Sequence, residues 1–279
     1  MVDAIVVGVT DAPAARRALE WAAQRAADRK QPIELLAVVG GAIGAVGEDS
    51  VLAGARAGAD ELLAEAASRI AHHGLEVRTR VEHGNPVSKL LDAADHAALL
   101  VIGSDYRGPG SGPARGAHGL RVASAASCPV VVVPDLDVSG RSGIVVGVDG
   151  SEVSEKAIAF AAAEADRLGE PLIPVSVWTP MEVPRNMGVY PIEYLENLES
   201  LTREAQGLAL GGLRQRYPDL VVDRRVERGY PSEVINTIAA TARLTVMGSH
   251  GRGAIRRFLL GSISQEVLAR LATATAIVR

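Results

Sequence analysis

The 279-residue sequence predicts an α/β fold built as two tandem, doubly wound domains, each with a five-stranded parallel sheet. Three observations carry this. Ile5-Val6-Val7-Gly8-Val9-Thr10 returns as Ile144-Val145-Val146-Gly147-Val148-Asp149, an offset of 139. Residues 83–104, from His-Gly-Asn-Pro to Leu-Leu-Val-Ile-Gly-Ser, return at 228–249 as Arg-Gly-Tyr-Pro to Leu-Thr-Val-Met-Gly-Ser, an offset of 145. Within the second copy, short β-branched runs alternate with longer helical patterns, the pattern of β-α-β units.

The elements follow in order. Strands are expected near 144–149, 172–178, 220–226, 243–247 and 274–278. Between the first two, Ala157, Ile158, Ala161, Ala165 and Leu168 recur at helical spacing and should face the sheet. The offset grows by six between the repeated blocks, which places an insertion after the second strand, around residues 179–200. Gly229 suits a turn, and Pro231 suits the first turn of the helix after it. Right-handed crossovers then put helices on both faces of the sheet. The domains are 1–135 and 142–279, joined near Pro134 to Arg141.

Composition narrows the function. Hydrophobic residues make up 48% of the chain but aromatic residues only 3%, so the core must be Ala, Val, Leu and Ile packed in layers rather than an aromatic-rich sandwich. Acidic residues outnumber basic ones by 33 to 29, and no long run of Lys or Arg occurs, which argues against a nucleic-acid partner. Met1 leads straight into a strand pattern rather than a secretory signal. No apolar run approaches the roughly 20 residues of a membrane span, so no membrane partner is expected. The single cysteine, Cys128, sits beside Pro129 and the apolar run Val130 to Val133; a buried thiol in a reducing, cytoplasmic setting is expected.

In an open α/β sheet, ligands bind beyond the C-terminal ends of the strands where strand order reverses. In the second copy Asp149 falls there, as does the run Gly248-Ser249-His250-Gly251-Arg252-Gly253, followed by Gly261-Ser262-Ile263 at a helix start. The spacing is G-x2-G-x9-G-S. Glycines let backbone N–H groups approach an anion, and a helix N-terminus adds unsatisfied donors and a favourable dipole. A phosphate chain is the expected ligand. Neither a Walker A loop nor G-x-G-x-x-G is present, because Ala254-Ile255 follow Gly253 where Lys and Ser/Thr would be needed.

These residues resemble the universal stress proteins in their tandem two-domain form, and specifically the ATP-binding branch. The resemblance covers nearly the whole chain, including both strand starts, both Gly-x-Pro turns and Ser127-Cys128-Pro129-Val130 with the valines that follow. It implies a Rossmann-like fold of the adenine nucleotide alpha hydrolase type, with ATP, accompanied by magnesium, as cofactor. It makes Asp149 the acid near the ribose or a bound metal, Gly147 a close neighbour of the nucleotide, and the backbone near Val177 the contact for adenine. Gly248, Ser249, His250, Gly251, Arg252, Gly253, Gly261, Ser262 and Ile263 would enclose the phosphates. It further implies that the open fifth-strand edges pair in a pseudo-two-fold arrangement. A homodimer is compatible with the sequence but not specified by it, and the regulatory protein partner is unidentified.

Other assignments of these residues are bland. Asp149 also suits a turn at a helix start, and Arg256 and Arg257 a solvated face. His250 has no evident nucleophile or carboxylate partner that would make it a base. His72 and His73 precede Gly74 at a helix end, where cations are favoured, and no metal site is assigned to them.

The first copy reads as a degraded version. Thr10 stands for Asp149, Tyr106 for Gly251 and Ala117 for Ser262, and Asp105 puts like charge into the phosphate loop. Its glycines Gly8, Gly103, Gly108 and Gly116 remain, and weak or absent nucleotide binding is expected. The resulting expectation is an ATP-dependent regulator of stress or dormancy, without a catalytic residue assigned. The rivals are a slow ATP hydrolase or autophosphorylating enzyme acting at Ser262 or Ser264, and an interaction scaffold with a vestigial site.

Overall fold

The computed structural model describes residues 4–40, 48–104, 117–180, 192–251 and 260–279. The chain divides into two compact units, Met1–Asp137 and Val138–Arg279. In the first, β1 (Ile5–Gly8), α1 (Pro13–Arg29), β2 (Ile33–Val39) and α2 (Glu48–Arg69) lead through a 3₁₀ turn (Ala71–His73) to β3 (Val77–His83). Then follow α3 (Pro86–Ala94), β4 (Leu99–Gly103), α4 (Ala117–Ala125) and β5 (Val130–Val133). The second unit runs β6 (Ile144–Gly147), α5 (Glu152–Leu168), β7 (Leu172–Trp178), α6 (Ile192–Ala209), α7 (Leu213–Arg216), β8 (Arg225–Arg228), α8 (Pro231–Ala239), β9 (Leu244–Gly248), α9 (Ser262–Ala269) and β10 (Ala274–Val278).

The strand order is β3-β2-β1-β4-β5 in the first unit and β8-β7-β6-β9-β10 in the second. Every pair within a unit is parallel. The order reverses between β1 and β4, and between β6 and β9. This is the expected α/β class. Strands covered on both faces have no polar face to offer, and Ile5, Val7, Val101, Val131, Ile144, Val145 and Val246 are all fully buried.

Local chemistry explains the helix that leads away from β6. Ser151 caps α5 by accepting the Ser154 N–H, acidic Glu152 and Glu155 occupy its first turn, and Gly169 closes it at φ 63°, a left-handed conformation that glycine adopts without strain. Ala157, Ile158, Ala161 and Ala165 are buried as their spacing predicts, whereas Leu168 at the helix end is only half-buried. Pro231 stands in the first turn of α8, after Gly229 at φ 154°.

The third strand of the second unit differs from the expected 220–226. It spans Arg225–Arg228, preceded by an isolated bridge between Leu172 and Val222. The reason lies in the neighbouring strand. Leu172 donates to Val221 O and accepts from Asp223 N, both at 2.9 Å, so the next β7 residue turned to that side is Pro174, which has no N–H to give. The side chain of Gln206, 1% exposed, fills the gap. Its amide donates to Pro174 O at 3.1 Å and Arg225 O at 2.8 Å, while its oxygen accepts from Arg224 Nε at 3.0 Å.

At the strand-start end of this unit, the Glu170 carboxylate, 13% exposed, accepts from Ser142 Oγ at 2.5 Å, Gly143 N at 2.8 Å and Arg243 Nη1 at 3.0 Å. Burial raises its pKa, but these hydrogen bonds and the Arg243 charge outweigh it and hold the group below its ordinary 4.5. A depressed folded-state pKa stabilises the fold above the unfolded value and is lost as pH falls through the folded one. Glu170→Gln is therefore expected to cost about 1.5 kcal/mol at pH 7, as for hydrogen bonds to a charged group. The difference from the parent should narrow as pH falls below 4.5 and the parent carboxyl protonates. Denaturant unfolding of both proteins across pH 3–7 checks this; a constant difference would contradict it.

Among the described residues, no helix is long and apolar enough to cross a membrane.

Candidate functional site

A cleft of about 730 Å³ opens at the C-terminal ends of β6, β7 and β9, at the point where strand order reverses. Its volume lies within the range usual for small-molecule sites. Gly147, Asp149, Val177, Gly248, His250, Gly251, Gly261, Ser262 and Ile263 all line it.

Ser249 does not line it. Its N–H donates to Val278 O and its carbonyl accepts from Gly261 N, both at 2.7 Å, and its buried hydroxyl lies 3.0 Å from His250 Nδ1. Ser249 thus ties the loop to β10 and to the start of α9 while orienting the imidazole. Arg252, Gly253, Arg256 and Arg257 lie outside the described residues, as do Asp105, Tyr106, Gly108 and Gly116.

Asp149 lines the cleft and also forms the turn expected at a helix start. Its Oδ1 accepts from Ser151 N at 3.0 Å and Ser151 Oγ at 2.7 Å, an Asx turn that leads into α5. Its Oδ2 borders Gly251 so closely that a Cβ at that position would collide with it. A Cβ at Gly261 would come within 3.3 Å of His250 Cα. At Gly261 the helix start therefore packs against loop backbone at a distance that favours glycine, whereas at Gly251 the close neighbour is the Asp149 carboxylate.

Helix α9 opens on Gly261, whose position carries no side-chain cap. The first N–H groups of a helix have no partner inside it, and the dipole is positive there. Ser264 Oγ, donating to Gly248 O at 2.7 Å, anchors that end to β9. A second tie fixes α9 to α8: Glu266 accepts from Ser232 Oγ at 2.6 Å and Tyr230 OH at 2.9 Å. The Ser232 and Tyr230 hydrogen bonds hold the Glu266 carboxyl below its ordinary range, and the same bond to Glu266 pushes the Tyr230 hydroxyl up.

The polar edge of the cleft near Val177 comes from where β6 stops. The β6–β7 register ends with Gly147 opposite Val175, and a last bond runs from Val148 N to Val175 O at 2.8 Å. The buried Ser176 hydroxyl takes the carbonyl of Val148 at 2.9 Å. Alternation along β7 then turns the N–H and C=O of Val177 to the side where β6 has ended.

Residues that the sequence motif did not single out complete the wall. Leu198, Leu201, Thr202 and Ala205 of α6 line the cleft with Gln206. Their i, i+3, i+4, i+7 spacing was a legible helical stripe, but nothing local says which cavity a stripe faces.

The matching positions of the first unit are arranged differently. Thr10 Oγ1 accepts only a long 3.4 Å bond from Ala12 N, and Ala12 supplies α1 with no side-chain cap. A Cβ on Gly103 would lie 2.6 Å from Ala15 N and 2.7 Å from Ala14 C, whereas one on Gly248 would lie 3.1 Å from Val153 Cγ1 and 3.5 Å from Val153 C. The first turn of α1 has closed onto the end of β4.

The model of the universal stress protein family matches residues 1–134 and again 141–279. A universal stress protein of Mycolicibacterium smegmatis is 32% identical over 288 residues, covering 99% of this chain and 96% of that one. One from Mycobacterium tuberculosis H37Rv is 32% identical over 282 residues, covering 95% and 92%. Among solved structures, a universal stress protein of Archaeoglobus fulgidus superposes with a TM-score of 0.71 at 20% identity, covering 98% of this chain and 97% of that one. With two family domains in tandem and relatives matched along almost its whole length, this chain belongs to the universal stress protein family.

Proposed function

We propose that the second unit binds ATP and that the protein acts as a nucleotide-dependent regulator in a stress or dormancy response, within the cytoplasm. The observation that carries this is the convergence of the Gly248–Gly251 backbone and the uncapped start of α9 on one cleft. Those glycine approaches leave room that side chains would fill, and the N–H groups of Ser262 and Ile263, without partners inside the helix, would donate to phosphate oxygens. Asp149 suits the ribose hydroxyls or a magnesium ion that accompanies the phosphates. The Val177 backbone offers one donor and one acceptor, which can pair with N1 and the 6-amino group of adenine. When bound, ATP supplies negative charge and a base plane; the chain supplies orientation and exclusion of water.

A regulator is favoured over a catalyst because Asp149 is the one carboxylate among the described cleft residues. The hydroxyl beside His250 belongs to Ser249, which sits outside the cleft, so the two do not form a nucleophile–base pair facing the ligand. We propose further that the first unit, with its closed helix start and Thr10 in place of the acid, contributes little nucleotide affinity.

Calorimetric titration of the intact protein with magnesium ATP tests this. One equivalent is expected, weakened about tenfold in Asp149→Ala and not displaced by GTP. Two equal sites, or no saturable binding, would overturn it, and turnover near 1 s⁻¹ or faster would indicate an enzyme instead.

A further inference from the structure

We propose that Glu20, His72 and His73, on the first unit, form a binding site for one divalent transition cation of the zinc class. The site is independent of the nucleotide cleft and shares no residue with it. In sequence the two histidines read only as cations at a helix end, because their third partner lies far away on α1. In the fold, the 3₁₀ turn at Ala71–His73 brings both rings against Glu20, and one ligand atom from each of the three residues lies within 4.8 Å of the others.

The chemistry of the set is selective. Two imidazoles and one carboxylate form a borderline donor group that suits Zn²⁺, Ni²⁺ or Cu²⁺ and holds Mg²⁺ poorly. Metal–ligand bonds of about 2.0–2.2 Å require donors roughly 3.3 Å apart, so a small rotation of side chains closes the set. Glu20 and His72 are exposed and His73 is half-buried, which leaves them free to rotate and leaves room for water at the remaining coordination positions.

A second observation points the same way. His72 Nδ1 lies 3.1 Å from the Arg69 carbonyl. With the proton on Nδ1 donated to that oxygen, Nε2 carries the lone pair, which is how backbone carbonyls orient ligating histidines. The His72 and His73 rings are 4.1 Å apart and tilted by 37°, so both imidazoles lie within reach of one ion. The guanidinium of Arg69, whose carbonyl faces His72, is paired with Glu65 at 2.7 Å. Gly74, left-handed at φ 64°, closes the turn by donating to Ala71 O, so the backbone carrying both rings is defined. A bound ion would brace α1 against the segment between α2 and β3.

Titration of the intact, nucleotide-free protein with zinc chloride, and with cobalt chloride followed by visible absorbance, tests the assignment. One equivalent is expected. Glu20→Gln should weaken it about tenfold or more, and His72→Ala with His73→Ala should abolish it, while circular dichroism shows the fold intact. Zinc should raise the melting temperature of the parent and not of the double variant, and excess magnesium should not displace it. The double variant retains His250 and Asp149, so undiminished zinc binding there would overturn the proposal, as would a parent that binds no zinc.

Discussion

Gly251→Ala is expected to weaken ATP binding by the intact protein about tenfold while leaving its melting temperature unchanged, the loss corresponding to one hydrogen bond to a charged group at roughly 1.5 kcal/mol. The added methyl would meet the Asp149 Oδ2 rather than backbone. A carboxylate at the end of a rotatable side chain can swing aside, so the fold is spared, but the acid leaves the position in which it is proposed to meet the ligand. This account makes a sharper statement than a single variant can test. In an Asp149→Ala background the obstacle is gone, and Gly251→Ala should then add little further loss. Titrations of the four proteins in the cycle measure this directly. Additive losses would show that Gly251 acts through its own backbone and not through Asp149.

Gly103→Ala should have the opposite character, costing the first unit about 2–3 kcal/mol as overpacking against atoms that cannot retreat. Its methyl would lie 2.6 Å from Ala15 N and 2.9 Å from Ala15 Cα, both main-chain atoms of the first turn of α1. Gly147→Ala provides the control. There the obstacle is Met247 Sδ at 2.8 Å, the end of a flexible side chain, so the cost should stay below about 1 kcal/mol. Hydrogen exchange of β4 and β6 amides reads each unit separately, which a global melt of a two-domain chain would not. Equal protection losses in the two variants would mean that the α1 turn is softer than its packing indicates.

Much of the site was legible in the sequence because its parts are local. The G-x2-G-x9-G-S spacing places a loop and a helix start next to each other wherever the parallel strands run, and the internal repeat showed which copy retained it. Ser249 shows the limit of that legibility. It lies inside the motif, yet whether a residue in such a loop faces ligand or sheet depends on the strand beyond it, here β10 through Val278. The late start of β8 has the same origin. Val222 and Val226 both lie in the 220–226 stretch expected as one strand, and only the neighbour Pro174, with Gln206 reaching across from α6, decides where pairing resumes.

The sequence by itself determined the α/β class, the duplication, the order of elements and the loop that could hold an anion, because each is written in periodicity and in residues close along the chain. The tertiary structure decided the wall supplied by α6, the backbone edge at Val177 where β6 stops, the closure of α1 onto Gly103, and the meeting of Glu20 with His72 and His73. Each of these depends on distances between segments separated by whole elements, and such distances are set by packing and pairing register rather than by any local preference of the residues involved.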